Sequence, residues 1–368
     1  MFELSRNIPG SLELMLGNEA IARGALEPGS LYSGDEHEAW LELTKEEAIY
    51  PDLPICDSHH HLWDKFNNRY MLQEFLQDIG EGHRIVQTVF VECQSMYKKD
   101  GPQEMQPVGE TEFVQGIADQ VVSGKHGMTA VAAGIVGFAD LTLGAAVAPV
   151  LEAHIAASKN RFRGIRQLSN WDASPDIVSS KNTPKGLLLD PKFRQGFACL
   201  QKYNLSFDAW LYHPQLMELV DLARTFLEIS IIVDHIGGPL GIGSYSGLRK
   251  EVFDDWKRGI AALATCHNVS IKLGGLGQPC FGFGWHERPI PPTSAELADT
   301  MAPYYHWCID CFGVDRCMFE SNFPSDKISY SYTVLWNAFK LICEDLSRQE
   351  RGALFHDTAT KVYRLSTE

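Results

Sequence analysis

PICDSHHHLWD, residues 54–64, is a short apolar run that ends in three consecutive histidines and a tryptophan. The prolines and aspartate of Tyr50-Pro51-Asp52-Leu53-Pro54 break the helical pattern before it, since proline disfavours helical backbone in the residue ahead of it. Residues 54–60 therefore read as a β-strand. Strand alternation puts His59 and His61 on one face with Asp57 one step deeper, and His60 on the other face. Two imidazoles on one inward face need a cation or a polar substrate as partner, which makes this strand end a candidate site.

Outward from that strand the pattern repeats. Apolar β-rich runs occur at 54–60, 87–93, 130–137, 163–168, 205–212, 229–235, 268–274 and 316–321. Amphipathic helical stretches lie between them, including 109–122, 144–158, 190–203 and 294–312. Strands alternating with helices imply parallel pairing through right-handed crossovers. Eight such units in one chain predict an α/β fold, a (β/α)8 TIM barrel, over 54–368. No GxGxxG or P-loop sequence follows the first strand to support a dinucleotide-binding sheet. Glycine-rich segments at 236–247 and 273–285 follow the sixth and seventh strands, where a barrel builds its active site. Residues 1–53 read as an acidic N-terminal extension, with a helix over 36–48, that packs on the barrel.

The composition, 45% hydrophobic and 21% charged over 368 residues, supports a packed core. The formal net charge of −15 is wrong for a surface that tracks nucleic-acid phosphates. The N-terminus lacks a signal-peptide pattern, and no apolar run approaches the ~18–20 residues that span a bilayer, so a cytoplasmic protein without a membrane partner is expected. The nine cysteines are scattered. Only Cys308 and Cys311 have CxxC spacing, and they fall inside a helical pattern without further ligands, so packing is expected of them.

The motifs DSHHHLWD (57–64), RGIRQ (163–167), DHIGGP (234–239), IKLGG (271–275), MFESNFP (318–324) and LFHDTATKVYRL (354–365) together resemble the amidohydrolase-2 family. The order is most similar to the branch of sugar-acid lactonases and the lactonase of pyrone dicarboxylate, and more distantly to amidohydrolase-type decarboxylases. The resemblance implies catalysis at the C-terminal ends of the barrel strands. It makes His59, His61 and His235 metal or substrate ligands, and Arg163 and Arg166 holders of a substrate carboxylate or carbonyl, with Arg166 nearer the strand's end. The departure is on strand eight, where the family commonly has GSDWP and this chain has Glu320-Ser321-Asn322-Phe323-Pro324. Asn322 replaces the expected water-activating aspartate, and an amide cannot act as a general base. Glu320, two residues earlier, can return a carboxylate to the same space. Glu92 in VFVECQ is a second candidate base, with Gln94 expected on its face. Trp63, Tyr212 and His213 are expected around the substrate.

These residues predict a hydrolase that opens a lactone or related ester of a carboxylate-bearing or aromatic small molecule. Water is activated by Glu320 or Glu92, or by a zinc or manganese ion on His59, His61 and His235, and His59, His61 and Arg166 polarise the carbonyl. The metal-free and metal-bound routes both stay open. The rival readings are a non-oxidative decarboxylase of an aromatic or unsaturated carboxylic acid, which the loss of the aspartate disfavours, and a non-catalytic binder. Exposed barrel helices leave pairing into a homo-oligomer open.

Overall fold

The computed structural model describes residues 34–65, 68–121, 129–177 and 183–366. The strands are β1 (Ile55–His60), β2 (Trp63–Lys65), β3 (Asn68–Tyr70), β4 (Ile85–Val91), β5 (Ala130–Gly137), β6 (Phe162–Arg166), β7 (Ser206–Ala209), β8 (Ile231–Val233), β9 (Val269–Leu273) and β10 (Cys317–Phe319). β2 and β3 form a small antiparallel hairpin that the sequence pattern did not announce. The other eight pair in parallel in the order β1-β4-β5-β6-β7-β8-β9-β10. The seam between the last and first strands is drawn together by a parallel bridge between His60 and Phe323. There His61 N–H donates to the Phe323 carbonyl at 2.7 Å, and Asn322 N–H to that of His59 at 2.9 Å. Asp57 accepts from Ser321 N–H at 2.9 Å, Ser321 Oγ at 2.6 Å and Tyr332 OH at 3.0 Å, so this acid stitches the seam. The result is the expected (β/α)8 barrel, nearly closed.

The outer layer includes α1 (Asp35–Leu41), α2 (Leu72–Ile79), α3 (Val108–Gln120), α4 (Ala148–Ala157), α5 (Pro191–Lys202), α6 (Leu216–Thr225), α7 (Arg249–Ala264), α8 (Ser294–Phe312) and α9 (Tyr332–Ile342). Their ends follow local chemistry. α5 opens on Pro191, and the Asp190 carboxylate takes the Lys192 and Phe193 N–H groups. α8 opens on a capping box between Thr293 and Glu296. Cys308 is buried in α8, and all nine cysteines are free thiols.

Two helical expectations change. The helix over 36–48 stops at Leu41 because the residues beyond it give their polar groups to the barrel. Thr44 Oγ donates to the Pro291 carbonyl, and the Glu46 carboxylate accepts from Ser294 N–H and Asn337 Nδ2. Residues 1–33 of the expected extension lie outside the described residues. The segment expected as one helix over 144–158 begins as a 3-10 stretch, Leu141–Val147, interrupted at Gly144 (φ 62°), before α4 takes over. No helix among the described residues is long and apolar enough to cross a membrane.

Candidate active site

β1 delivers its histidines as the alternation requires. His60 points outward, stacks on Phe75 of α2 with ring centroids 4.1 Å apart, and meets Thr88 Oγ at 2.9 Å. His59 and His61 point inward and are buried, with their Nε2 atoms 3.2 Å apart. His61 Nδ1 lies 2.8 Å from the Val91 carbonyl, which can only accept, so its proton is on Nδ1 and its Nε2 carries a lone pair. Burial, with His59 and Arg166 adding to it, pushes His61 well below the usual histidine range. A neutral His61 cannot donate to a carbonyl through Nε2, which corrects its expected polarising role.

His59 is the hub, and each ring nitrogen faces one protein cation. Arg166 Nη1 is 3.3 Å from Nε2, and Lys272 Nζ is 3.1 Å from Nδ1. The same Nδ1 lies 2.8 Å from Glu320 Oε2 and 3.5 Å from Asp234 Oδ1. Burial, reinforced by Lys272, lowers His59 to about 4, so the ring is neutral near pH 7. Both neutral tautomers have partners: Nδ1–H faces Glu320, and Nε2–H faces the His61 lone pair.

Glu320, directly after β10, is fully buried. Its Oε1 accepts from His235 N–H at 2.9 Å and lies 2.6 Å from His235 Nδ1. Burial works to raise this carboxyl, but the His235 and His59 rings against it hold it at about 2. His235 follows β8 in left-handed backbone (φ 52°, ψ 45°), a conformation that costs a non-glycine residue about 1–3 kcal/mol. The two glycines of IKLGG make room for the pair. A Cβ on Gly275 would stand 2.3 Å from His235 Cγ, and one on Gly274 would stand 2.4 Å from Glu320 Cγ.

Asn322 is not beside Glu320 in function. β10 ends at Phe319, and Asn322 is left-handed (φ 55°), so strand alternation no longer holds. Its amide donates to Asp326 Oδ1 at 2.7 Å. Gly277 N–H and Tyr330 OH bind the other oxygen of Asp326. Glu92 is present, but as the partner of Arg166: Arg166 Nε donates to Glu92 Oε1 at 2.8 Å, and Nη2 donates to the Glu92 carbonyl.

Three expected residues stand apart. Arg163 begins its strand rather than ending it: its guanidinium reaches the Phe162 carbonyl, and its own carbonyl binds Arg364. Gln94 is exposed because β4 ends at Val91 and the backbone turns left-handed at Gln94 (φ 60°). His213 Nδ1 accepts from Leu240 N–H at 3.3 Å, which docks one barrel-top loop on the next. Trp63 stacks on His61 with centroids 5.6 Å apart, and Trp210 meets His235 edge-on at 4.7 Å, with Tyr212 behind Trp210 at 5.7 Å.

Sequence reasoning missed Asp208 and Asp234 and gave Lys272 a place only as an ion-pair partner for Glu92 or Glu320. Lys272 Nζ is 2.8 Å from Asp208 Oδ2 and 2.9 Å from Asp234 Oδ1, all fully buried. Four buried carboxylates (Glu92, Asp208, Asp234, Glu320) thus face two buried cations, Arg166 and Lys272. The carboxylates outnumber those two cations by two, and Glu92 Oε2 makes no hydrogen bond, while Glu320 Oε2 faces His59 Nδ1 at 2.8 Å. That balance suits one divalent cation. His59, His235 and Glu320 offer ligand atoms within 4.8 Å of one another, an imidazole–carboxylate set that suits zinc or manganese. The expected trio of His59, His61 and His235 differs from this grouping in one member, Glu320 standing in place of His61, whose Nε2 lies 3.2 Å from His59 Nε2.

A family model described as amidohydrolase matches residues 56–365. The chain belongs to the amidohydrolase family. It is 33% identical to the uncharacterized protein y4mH of Sinorhizobium fredii, over 85% of this chain and 99% of that protein. It is 24% identical to the L-fucono-1,5-lactonase of Burkholderia ambifaria, over 84% of this chain and 95% of the relative. Its fold matches the crystal structure of an amidohydrolase from Burkholderia multivorans with bound zinc, with a TM-score of 0.65 and 22% identity over 85% of this chain and 99% of that one.

Proposed function

We propose that this amidohydrolase opens a lactone by addition of water, with His235 as the general base and Glu320 as the group that orients it. The observation that carries the reading is the 2.6 Å contact between His235 Nδ1 and Glu320 Oε1. An imidazole that gives Nδ1–H to a carboxylate keeps its lone pair on Nε2, and the buried anion stabilises the imidazolium formed when Nε2 takes a proton from water. Arg166 gives four of its five N–H groups to Glu92, Asp234 and His59, so it offers one remaining N–H, not its paired fork, to charge that develops on the lactone carbonyl. A divalent ion held by His59, His235 and Glu320 would engage the base and its orienting carboxylate themselves, and so would take over their task by supplying Lewis-acid polarisation and lowering the pKa of bound water.

The substrate reading narrows to a neutral lactone. Arg166 is committed to Glu92 and, at 3.5 Å, to Asp234, and Arg163 lies elsewhere, so neither arginine is free for a substrate carboxylate. The flat faces of Trp63 and Trp210 beside His61 and His235 suit a sugar-derived or carbocyclic ring. The similarity to the fuconolactonase supports the same class. The test is proton release from a panel of neutral aldonolactones and from a pyrone dicarboxylate, with and without added zinc or manganese, beside His235→Ala. Turnover of a neutral lactone that is lost in the variant supports the reading. Carbon dioxide release from an aromatic acid, with no lactone opened, sinks it in favour of a decarboxylase.

A further inference from the structure

Lys272 sits where no long cation is ordinarily placed, at the centre of the barrel with no exposed surface. Its ammonium is surrounded by Asp208 Oδ2 at 2.8 Å, Asp234 Oδ1 at 2.9 Å and His59 Nδ1 at 3.1 Å. Tyr363 OH donates to the same Asp208 oxygen at 2.6 Å, fixing that carboxylate. β6, β7 and β9 bring Arg166, Asp208 and Lys272 to the barrel interior, and Asp234 follows directly on β8. Two carboxylate oxygens and one imidazole nitrogen around a single point are a donor set that zinc and manganese take. Here the point is filled by a protein cation whose N···O distances are those of charge-assisted hydrogen bonds.

We infer that Lys272 is a built-in cation standing in place of a metal ion in the barrel floor, so that this protein holds no more than one divalent ion per chain. The ammonium donates to Asp208, pairs with Asp234, and so neutralises the donor set that would otherwise recruit a second ion. It acts on the site through His59, as a positioning residue. The inference goes beyond the ion proposed at His59, His235 and Glu320, because it rests on Asp208 and Asp234, which that grouping does not include.

The experiment counts bound zinc in folded wild type, Lys272→Ala and Lys272→Met after equilibrium dialysis against zinc, by elemental mass spectrometry, with thermal midpoints recorded with and without zinc. Wild type should hold at most one ion. Lys272→Ala, which empties the space and keeps the donors, should hold one more ion than wild type and gain more thermal stability from zinc. Lys272→Met fills the space without charge and should gain none. Two ions in wild type overturn the inference, as does a folded alanine variant with the wild-type count. If the alanine variant folds only with zinc present, and then carries the extra ion, the inference is supported. If no divalent ion brings it to the folded state, the inference is overturned. The wild-type count alone tests the ion in the candidate site, and the difference between variant and wild type tests Lys272, so the two failures are distinguishable.

Discussion

Glu320 Oε1 accepts the backbone N–H of His235 at 2.9 Å and lies 2.6 Å from its Nδ1, so one carboxylate oxygen fixes both the backbone and the ring of the proposed base. Glu320→Gln keeps the shape and an acceptor oxygen but removes the charge that stabilises the imidazolium. Removing an ionised orienting group from a histidine base costs about 10⁴-fold in kcat in comparable arrangements. We expect a fall of about 10³–10⁴-fold in kcat on an accepted lactone, with little change in KM and an unchanged circular dichroism spectrum. A variant with wild-type kcat removes Glu320 from the mechanism.

Asn322→Asp would install the carboxylate that the family resemblance implies at this position, yet here it should not restore a base. The Asn322 amide donates to Asp326 at 2.7 Å, and Asp326 is already raised to about 6 by burial. A second carboxylate at that distance is tolerated only when the pair shares a proton. The folded state of the variant therefore binds a proton more tightly than the unfolded chain, and stability falls as pH rises through the raised value. We expect a loss of about 2–4 kcal/mol relative to wild type at pH 8, smaller at pH 5, and no gain in activity. Thermal melts at the two pH values check it.

The barrel was legible because each inward strand run is short, apolar and followed by a helix. The two β1 imidazoles were legible because strand alternation holds up to His60. Alternation failed beyond the strand ends, where left-handed residues re-aim the chain: Gln94 was expected inward and is exposed, and Asn322 was expected beside Glu320 and turns to Asp326. Asp208 in LSFDAWLY and Lys272 in NVSIKLG did carry a signal. A charge midway along an apolar strand is buried and must be paired. What the sequence could not supply is the pairing itself, since Asp208 and Lys272 are brought together by a barrel layer and not by spacing.

Arg166 holds Glu92 through Nε at 2.8 Å and touches Asp234 and His59 through Nη1. Arg166→Met leaves buried carboxylates without a counter-ion, which costs about 3–5 kcal/mol. Arg166→Lys keeps the charge but lacks the planar fork, so it should recover part of the stability and little of the activity. Adding Glu92→Gln to Arg166→Met removes one of the stranded charges, and the double variant should be more stable than Arg166→Met alone. Chemical denaturation of wild type, Arg166→Met, Glu92→Gln and the double variant provides the cycle, and a double variant less stable than Arg166→Met contradicts the pairing.

Glu110, in the first turn of α3, accepts N–H groups from Cys93 at 3.1 Å and Ser95 at 2.7 Å, and so holds the loop that leaves Glu92. Burial, then the neighbouring Glu92 charge, raises its carboxyl to about 8 from an ordinary 4.5. Between those values the folded protein binds a proton that the unfolded chain releases. This contribution is therefore fully present below pH 4.5 and is lost as pH rises toward 8. Glu110→Gln keeps the acceptor oxygen for both N–H groups and removes the titration. We expect the variant to match wild type near pH 5 and to exceed it by a few kcal/mol at pH 8.5, an order set by about 1.4 kcal/mol per pH unit. Denaturant midpoints measured across that range decide it: parallel curves for the two proteins would mean that Glu110 does not titrate there. A variant destabilised equally at every pH would mean that the loop needs the carboxylate charge and not only its acceptor oxygen.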